Sequence, residues 1–225
     1  MSARDTILAS VRRSLDVAAN DGTRLAAARE RLAARPRHLT PSRVAGKDQD
    51  TLVATFKAYL TQSSATVVEI DDLASVPQAV ADYLRANNLP PRLRFGDDAD
   101  LSAAPWADVP TLEVDRGRAE PRDETGVSRA LAGVAETGTL VLASGADNPV
   151  TLNFMPETHV VVVRRSEVVA AYEDAFVRVR SHFGEDALPR TINMISGPSR
   201  TGDIGGRIVM GAHGPRRMCV IVVAG

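Results

Sequence analysis

Cysteine occurs once in this 225-residue chain, at position 219. A single thiol excludes an internal disulfide framework, and it excludes a four-thiolate iron–sulfur site held by this chain alone. Excess charge of either sign is missing too: 27 lysines and arginines stand against 28 aspartates and glutamates, a formal net charge of −1. No long-range field gathers nucleic acid or anionic lipid, so any recognition by charge has to be local. Long apolar runs are absent. No stretch approaches the ~20 apolar residues that span a bilayer, and the opening residues MSARDTILASVRRSLD carry no continuous hydrophobic segment of the secretory kind. The expectation is a cytoplasmic protein. Internal repeats, low-complexity tracts, a G-x-G-x-x-G after the first strand, a G-x-x-x-x-G-K-[ST] and a G-x-S-x-G are all lacking, which sets aside nicotinamide, P-loop and serine-hydrolase readings.

What is present suits one globular domain with a helical extension: 44% of residues are hydrophobic and 24% charged, enough to build a core without a covalent staple. Ile7, Leu8, Val11 and Leu15 mark one face of a first helix, and an Ala- and Arg-rich second helix spans about Gly22 to Ala34. Pro36, Pro41 and Gly46 then punctuate a linker. Residues 1–48 are therefore read as an N-terminal helical extension and linker, and 49–225 as the main domain. There the pattern alternates: a helix near Asp50–Leu60, strands at Ala65–Ile70, Arg92–Gly96 and Thr111–Val114, and a helix from Asp71 to Ala86 between the first two. A short helix is expected over Val127–Val134, then strands at Thr137–Leu142 and His159–Val163, a helix over Ser166–Phe183, and strands at Thr191–Ser196, Arg207–Met210 and Met218–Val223. Near-continuous apolar strands between amphipathic helices predict an α/β domain whose mainly parallel sheet is covered on both faces.

Ligands of open α/β sheets gather at the carboxyl ends of strands, which directs attention to the loops that leave the apolar runs. Glu136 lies in Gly133-Val134-Ala135-Glu136-Thr137-Gly138-Thr139. It reads either as a solvated or helix-end carboxylate, or as a base, nucleophile or clamp in a glycine-lined pocket. Gly197-Pro198-Ser199-Arg200-Thr201-Gly202-Asp203-Ile204 combines glycines, two hydroxyls and a guanidinium. That set fits an anion cradle; the alternative is a capped turn with Arg200 paired to Asp203. Gly211-Ala212-His213-Gly214 offers His213 as donor or acid–base, or as a loop histidine bonded to backbone. His38, His159 and His182 show no metal-ligand spacing, and Cys219 reads as a small buried thiol. If the three loops meet at one rim of the sheet, they form a pocket for a negatively charged metabolite.

The motifs Glu136-Thr137-Gly138-Thr139, Asn153–Pro156 with His159, Gly-Pro-Ser-Arg-Thr-Gly-Asp-Ile from 197 and His-Gly-Pro from 213 occur in one order. In that order the chain, from about residue 50 to its end, resembles the lactate-utilisation protein C family of LUD-domain proteins. The resemblance implies a Rossmann-like, mainly parallel sheet of the NagB/RpiA/CoA-transferase type. It implies a part in oxidising L-lactate to pyruvate beside iron–sulfur partner proteins, with no cofactor in this chain. The motif matches give Glu136 and His213 as catalytic candidates, and Thr137, Gly138, Gly197, Ser199, Arg200, Thr201, Asp203 and Gly214 as candidates for binding a small carboxylate or phosphate-bearing ligand. Two positions depart from the family's pattern. Gly205-Gly206 stands where many relatives have an acid after the Asp-Ile pair, and Asn148-Pro149-Val150-Thr151 stands where many have an arginine ahead of a Leu-Pro step. A free-standing CoA-transferase-like or isomerase-like enzyme using Glu136, a metabolite-sensing module, and a homo-oligomer stay open.

Overall fold

Two capped helices form the first of the two units into which the chain divides, Met1–Leu39 and Thr40–Gly225. The computed structural model describes residues 2–18, 21–37, 39–185 and 187–225, the side chain of Ile204 excepted; His38 lies outside them. Helix α1 (Ala3–Ser14) opens with a reciprocal cap in which Asp5 N–H donates to Ser2 Oγ and Ser2 N–H to Asp5 Oδ2. Helix α2 (Gly22–Ala34) is capped by Asp21, which accepts from Arg24 N–H at 3.0 Å. Ile7, Val11, Leu15 and Leu25 are exposed along the two helices.

The second unit begins with α3 (Gln49–Gln62), β1 (Thr66–Ile70), α4 (Val76–Ala86), β2 (Arg92–Phe95), α5 (Ala99–Ala103) and β3 (Glu113–Arg116). It continues with β4 (Thr125–Arg129), β5 (Ala132–Val134), β6 (Thr139–Ala143), α6 (Val150–Phe154), β7 (Thr158–Arg164), β8 (Val168–Val169) and α7 (Tyr172–Phe183). It closes with β9 (Ile192–Ile195), β10 (Arg200–Ile204), β11 (Arg207–Met210) and β12 (Arg217–Val223). Six strands form one sheet in the order β1-β12-β7-β4-β2-β3, and every neighbouring pair in it is parallel. A second sheet has the order β8-β5-β6-β9, and β10 pairs with β11 as a hairpin.

Period-two alternation decides which face each strand residue serves. Val160, Val162, Cys219 and Ile221 point into a core with Val76, Val80 and Leu84 of α4, Leu101 and Trp106. Their neighbours Val161, Val163, Val220 and Val222 face Phe56 and Leu60 of α3 and Leu140 and Leu142 of β6. Behind the second sheet, Ala175 and Val179 of α7 pack on Val134 and Val141. Connections from β1 to β2 and from β2 to β3 therefore run over one face, and those from β4 to β7 and β7 to β12 over the other. The sheet reverses its winding between β2 and β4, the point where an open α/β sheet leaves a crevice at its carboxyl end.

Three expectations are corrected. Val127–Val134, read as a helix from its Ala and Leu content, is split between β4 and β5. Tertiary context overrides propensity there: β4 is inserted between β2 and β7, and Gly126 lets α6 approach until Leu152 O would lie 2.6 Å from an added Cβ. The helix expected from Ser166 starts at Tyr172, because Val168–Val169 is taken as a parallel neighbour of β5. Gly197–Ile204, read as an anion cradle or a capped turn, becomes strand from Arg200 onward. Its turn explains the departure at Gly205-Gly206: both residues hold positive φ, +62° and +70°, as a two-residue hairpin turn of right-handed twist requires.

His159 on β7 is 0% exposed. Ser128 Oγ donates to Asn153 Oδ1 at 3.0 Å, so the 3.1 Å contact between His159 Nε2 and Ser128 Oγ needs the proton on Nε2. Nδ1 is left without a partner. Burial pushes the imidazole pKa down to about 3. The native state thus stays neutral where the unfolded chain, with an ordinary pKa of ~6.5, takes up a proton. The native state is unpenalised above pH ~6.5 and loses up to about 1.4 kcal/mol per pH unit as pH falls through the window toward 3. In urea unfolding at pH 7, 6, 5 and 4, His159→Gln is expected to flatten that loss; curves parallel to wild type would refute the assignment.

Candidate functional site

The turn between β5 and β6 carries the first predicted motif. Gly138 holds φ +64°, and an added Cβ there would lie 2.6 Å from Tyr59 Cβ and 2.9 Å from Leu60 N, so the turn closes directly on the end of α3. This places Thr137 and Thr139 beside the start of α7. Thr137 Oγ1 and Thr139 Oγ1 are 2.7 Å apart, Tyr172 OH lies 3.0 and 2.9 Å from them, and Ser196 Oγ lies 2.6 Å from Thr139 Oγ1. Four hydroxyls from three segments make one network. Glu136 is tied to two neighbouring segments in this arrangement. Its Oε1 accepts from Tyr172 N–H at 3.2 Å, satisfying a donor in the first turn of α7, and its carbonyl accepts from Arg43 Nε and Nη2 at 3.1 and 2.8 Å.

From Ser196 the chain runs through Gly197, which passes so close to Ser63 that an added Cβ would lie 2.6 Å from Ser63 O. Ser199 follows, three residues on and so within about 11 Å of Ser196. Ser199 straps the third motif in place. Its N–H donates to Pro215 O at 2.8 Å, its carbonyl accepts from Gly211 N–H at 2.9 Å, and its Oγ accepts from His213 N–H at 3.2 Å. Gly214 sits against Ser199 Cβ and the Phe154 ring, at 3.6 and 3.8 Å from where its own Cβ would be. The strap closes one side of a cavity of about 570 Å³, lined by Phe154–Glu157, Val209–Gly214 and Arg216.

Because Arg216 precedes β12 and Glu157 precedes β7, this cleft lies at the amino ends of the parallel strands, not at the carboxyl ends that the sequence reading favoured. It brings His213 and Gly214 together, with Ser199 as their anchor. Thr137, Gly138 and Gly197 belong to the neighbouring hydroxyl network and its α3 contact. The cradle is used internally: Thr201 is buried, and its Oγ1 accepts from Asp203 N–H at 3.3 Å. Arg200 and Asp203 are exposed on the hairpin and do not line the cavity. Among the described residues, no hydrogen bond or ion pair joins Glu136 to Arg200 or His213.

Tyr172 and Ser196 were missed because each is an ordinary residue in its own segment; the antiparallel β6/β9 register, Leu140 opposite Ile195, brings Ser196 to Thr139, and the start of α7, held by Glu136, brings Tyr172. Arg216 was legible in the run after His213. It is exposed, and among the described residues its guanidinium has no carboxylate within 4 Å, whereas Arg217 beside it pairs with Glu157 at 3.6 Å. Among the described residues no three His, Cys, Asp or Glu side chains gather as a metal ion would need, and no helix is long and apolar enough to cross a membrane.

Known proteins resemble the second unit. A family model described as the LUD domain matches residues 53–223. Lactate utilization protein C of Anoxybacillus flavithermus is 29% identical over 79% of this chain and 83% of its own length. Lactate utilization protein C of Shouchella clausii is 35% identical over 44% of either chain, so in that match the chain spans less than half of the relative. A crystal structure of a DUF162 family protein from Deinococcus radiodurans shares the fold, with a TM-score of 0.60 over 79% of this chain and 99% of that one at 24% identity.

Thr139 is the hub of the hydroxyl network and is 1% exposed. Replacing it with Val removes three of the network's four contacts and leaves only that between Thr137 and Tyr172, so Thr139→Val is expected to lower the unfolding free energy by about 1–3 kcal/mol. Denaturant unfolding measures this, and a change below about half a kcal/mol would show that the network does not hold the β6, α7 and β9 ends together.

Proposed function

The chain belongs to the LUD domain family, and we propose that it serves lactate utilisation as a component with no redox centre of its own, holding a small carboxylate at the amino-end cleft. The observation that carries this reading is a cavity of about 570 Å³ rimmed by Arg216, which pairs with no carboxylate among the described residues, and by His213 on its Ser199 strap. A planar guanidinium fork matches a carboxylate in shape and charge. The imidazole of His213 is a partner for a 2-hydroxyl or 2-keto oxygen, and the exposed faces of Phe154 and Met155 suit a short carbon chain.

In this reading Glu136 is a positioning residue. Its carboxylate anchors the start of α7, and Thr137, Thr139 and Ser196 tie that helix to the strands that lead into the strap. Gly138 and Gly197 set how closely these turns approach α3, and Arg200, Thr201 and Asp203 shape the hairpin beyond it. Oxidising lactate to pyruvate releases two electrons and two protons. A single thiol, buried as Cys219 is, cannot hold a four-thiolate cluster, so the electrons pass to iron–sulfur proteins of the same system.

Calorimetric titration of the full chain with L-lactate and with pyruvate tests the cleft. Saturable binding is expected, weakened roughly tenfold to a hundredfold in Arg216→Ala and His213→Ala, the loss of one charge-assisted or hydrogen-bonded contact. Arg200→Ala is expected to stay within about twofold of wild type. Absence of saturable heat with both acids, or full affinity in Arg216→Ala, would remove the assignment. Co-purification with a cluster-bearing protein of the lactate system tests the electron route independently.

A further inference from the structure

A second cavity, of about 660 Å³, opens at the other end of the parallel sheet. Asp97 enters it just after β2 and Arg118 just after β3, so it borders the crevice where the sheet reverses its winding. Its opposite wall comes from Ser144, Thr151, Arg190 and Thr191. Hydrogen bonds to backbone carbonyls fix that rim. Asp97 N–H donates to Ala146 O at 2.9 Å, Ser144 N–H to Thr191 O at 2.9 Å, and Asn148 Nδ2 to Ala143 O at 3.1 Å.

The arginines nearby divide into two kinds. Arg92 pairs with Asp115 at 2.6 Å, Arg94 with Asp123 at 2.6 Å, and Arg129 with Glu167 at 2.7 Å. Arg118 and Arg190, the two that line the cavity, are exposed, and among the described residues neither has a carboxylate within 4 Å or a hydrogen-bond partner. Two hydroxyls add to them. Ser144 Oγ accepts from Thr191 N–H at 2.9 Å and Thr151 Oγ1 from Ala119 N–H at 3.0 Å, so each keeps its own O–H free to donate.

We propose that this cavity binds a phosphate ester, with the phosphoryl group between Arg118 and Arg190 and the hydroxyl-bearing body toward Asp97. Two guanidinium forks and two hydroxyl donors exceed what the two oxygens of a carboxylate can use. They match the three terminal oxygens and double charge of a phosphomonoester. Asp97 is an acceptor for hydroxyls of the body, and the volume is that of a site for a ligand of nucleotide size. The site is separate from the amino-end cleft and does not rest on the carboxylate assigned there.

Titrating the full chain with AMP, inorganic phosphate and adenosine tests the proposal. AMP is expected to bind one-to-one and more tightly than inorganic phosphate, with no saturable heat from adenosine. Arg118→Ala and Arg190→Ala should each weaken AMP about tenfold or more at unchanged melting temperature, while Arg216→Ala leaves it unaltered. Asp97→Ala should narrow the gap between AMP and inorganic phosphate. Failure of wild type to bind AMP, indifference to both cavity arginines, an undiminished gap in Asp97→Ala, or loss of AMP binding in Arg216→Ala would each overturn it.

Discussion

Strands β7 and β12 are buried on both faces along almost their whole length, and the rest of the second unit follows from that constraint. A strand apolar on both sides must be covered twice. One cover is α4 with α5 and Trp106; the other is α3 with the four-stranded sheet, itself backed by α7. Parallel neighbours cannot be joined by tight turns, so every crossover must travel over one cover or the other. At the reversal between β2 and β4 the chain leaves the first cover and goes on to complete the second, which α3 began.

Both ends of the sheet carry chemistry as a result, but of different origin. At the amino end, long returns from the second sheet are folded back as straps, and the hydroxyl network around Thr139 is the joint from which they leave. At the carboxyl end, a cavity is lined by Arg118 from the loop after β3 and by Arg190 from the loop before β9. Within this framework ion pairs are placed where they fill the crevice rather than line it: Arg129 reaches Asp98, Asp100 and Glu167 at the β2/β4 junction. Such a pair group is sensitive to losing one member, because the remaining charge is left poorly solvated.

The apolar runs His159–Val163 and Met218–Val223 were readable as buried strands because no competing pattern overlaps them, and the parallel architecture followed from their continuity. Val127–Val134 was not readable, since its small residues satisfy a helix locally while Gly126 and Gly133 are there for close approach by α6 and by the Phe56 ring. The motif around Ser199 was open to two readings, an anion cradle or a capped turn; its donors and acceptors serve the backbone, which composition alone does not reveal. Of the carboxyl-end cavity, only Pro149, Val150 and Thr151 lay in a segment singled out from the sequence. Its other walls come from positions 97, 118, 144 and 190, and the property that distinguishes its arginines, having no partner among the described residues, exists only after folding.

Cys219 lies at the centre of β12, 0% exposed, and burial raises its thiol pKa to about 12. The reactive thiolate is therefore scarce, and oxidants or alkylating reagents have no path to the sulfur while the strand stays between β1 and β7. Labelling of this sulfhydryl can proceed only through opening of the sheet's interior, so the molecule carries its own clock for sub-global unfolding, in a protein otherwise indifferent to the thiol balance around it.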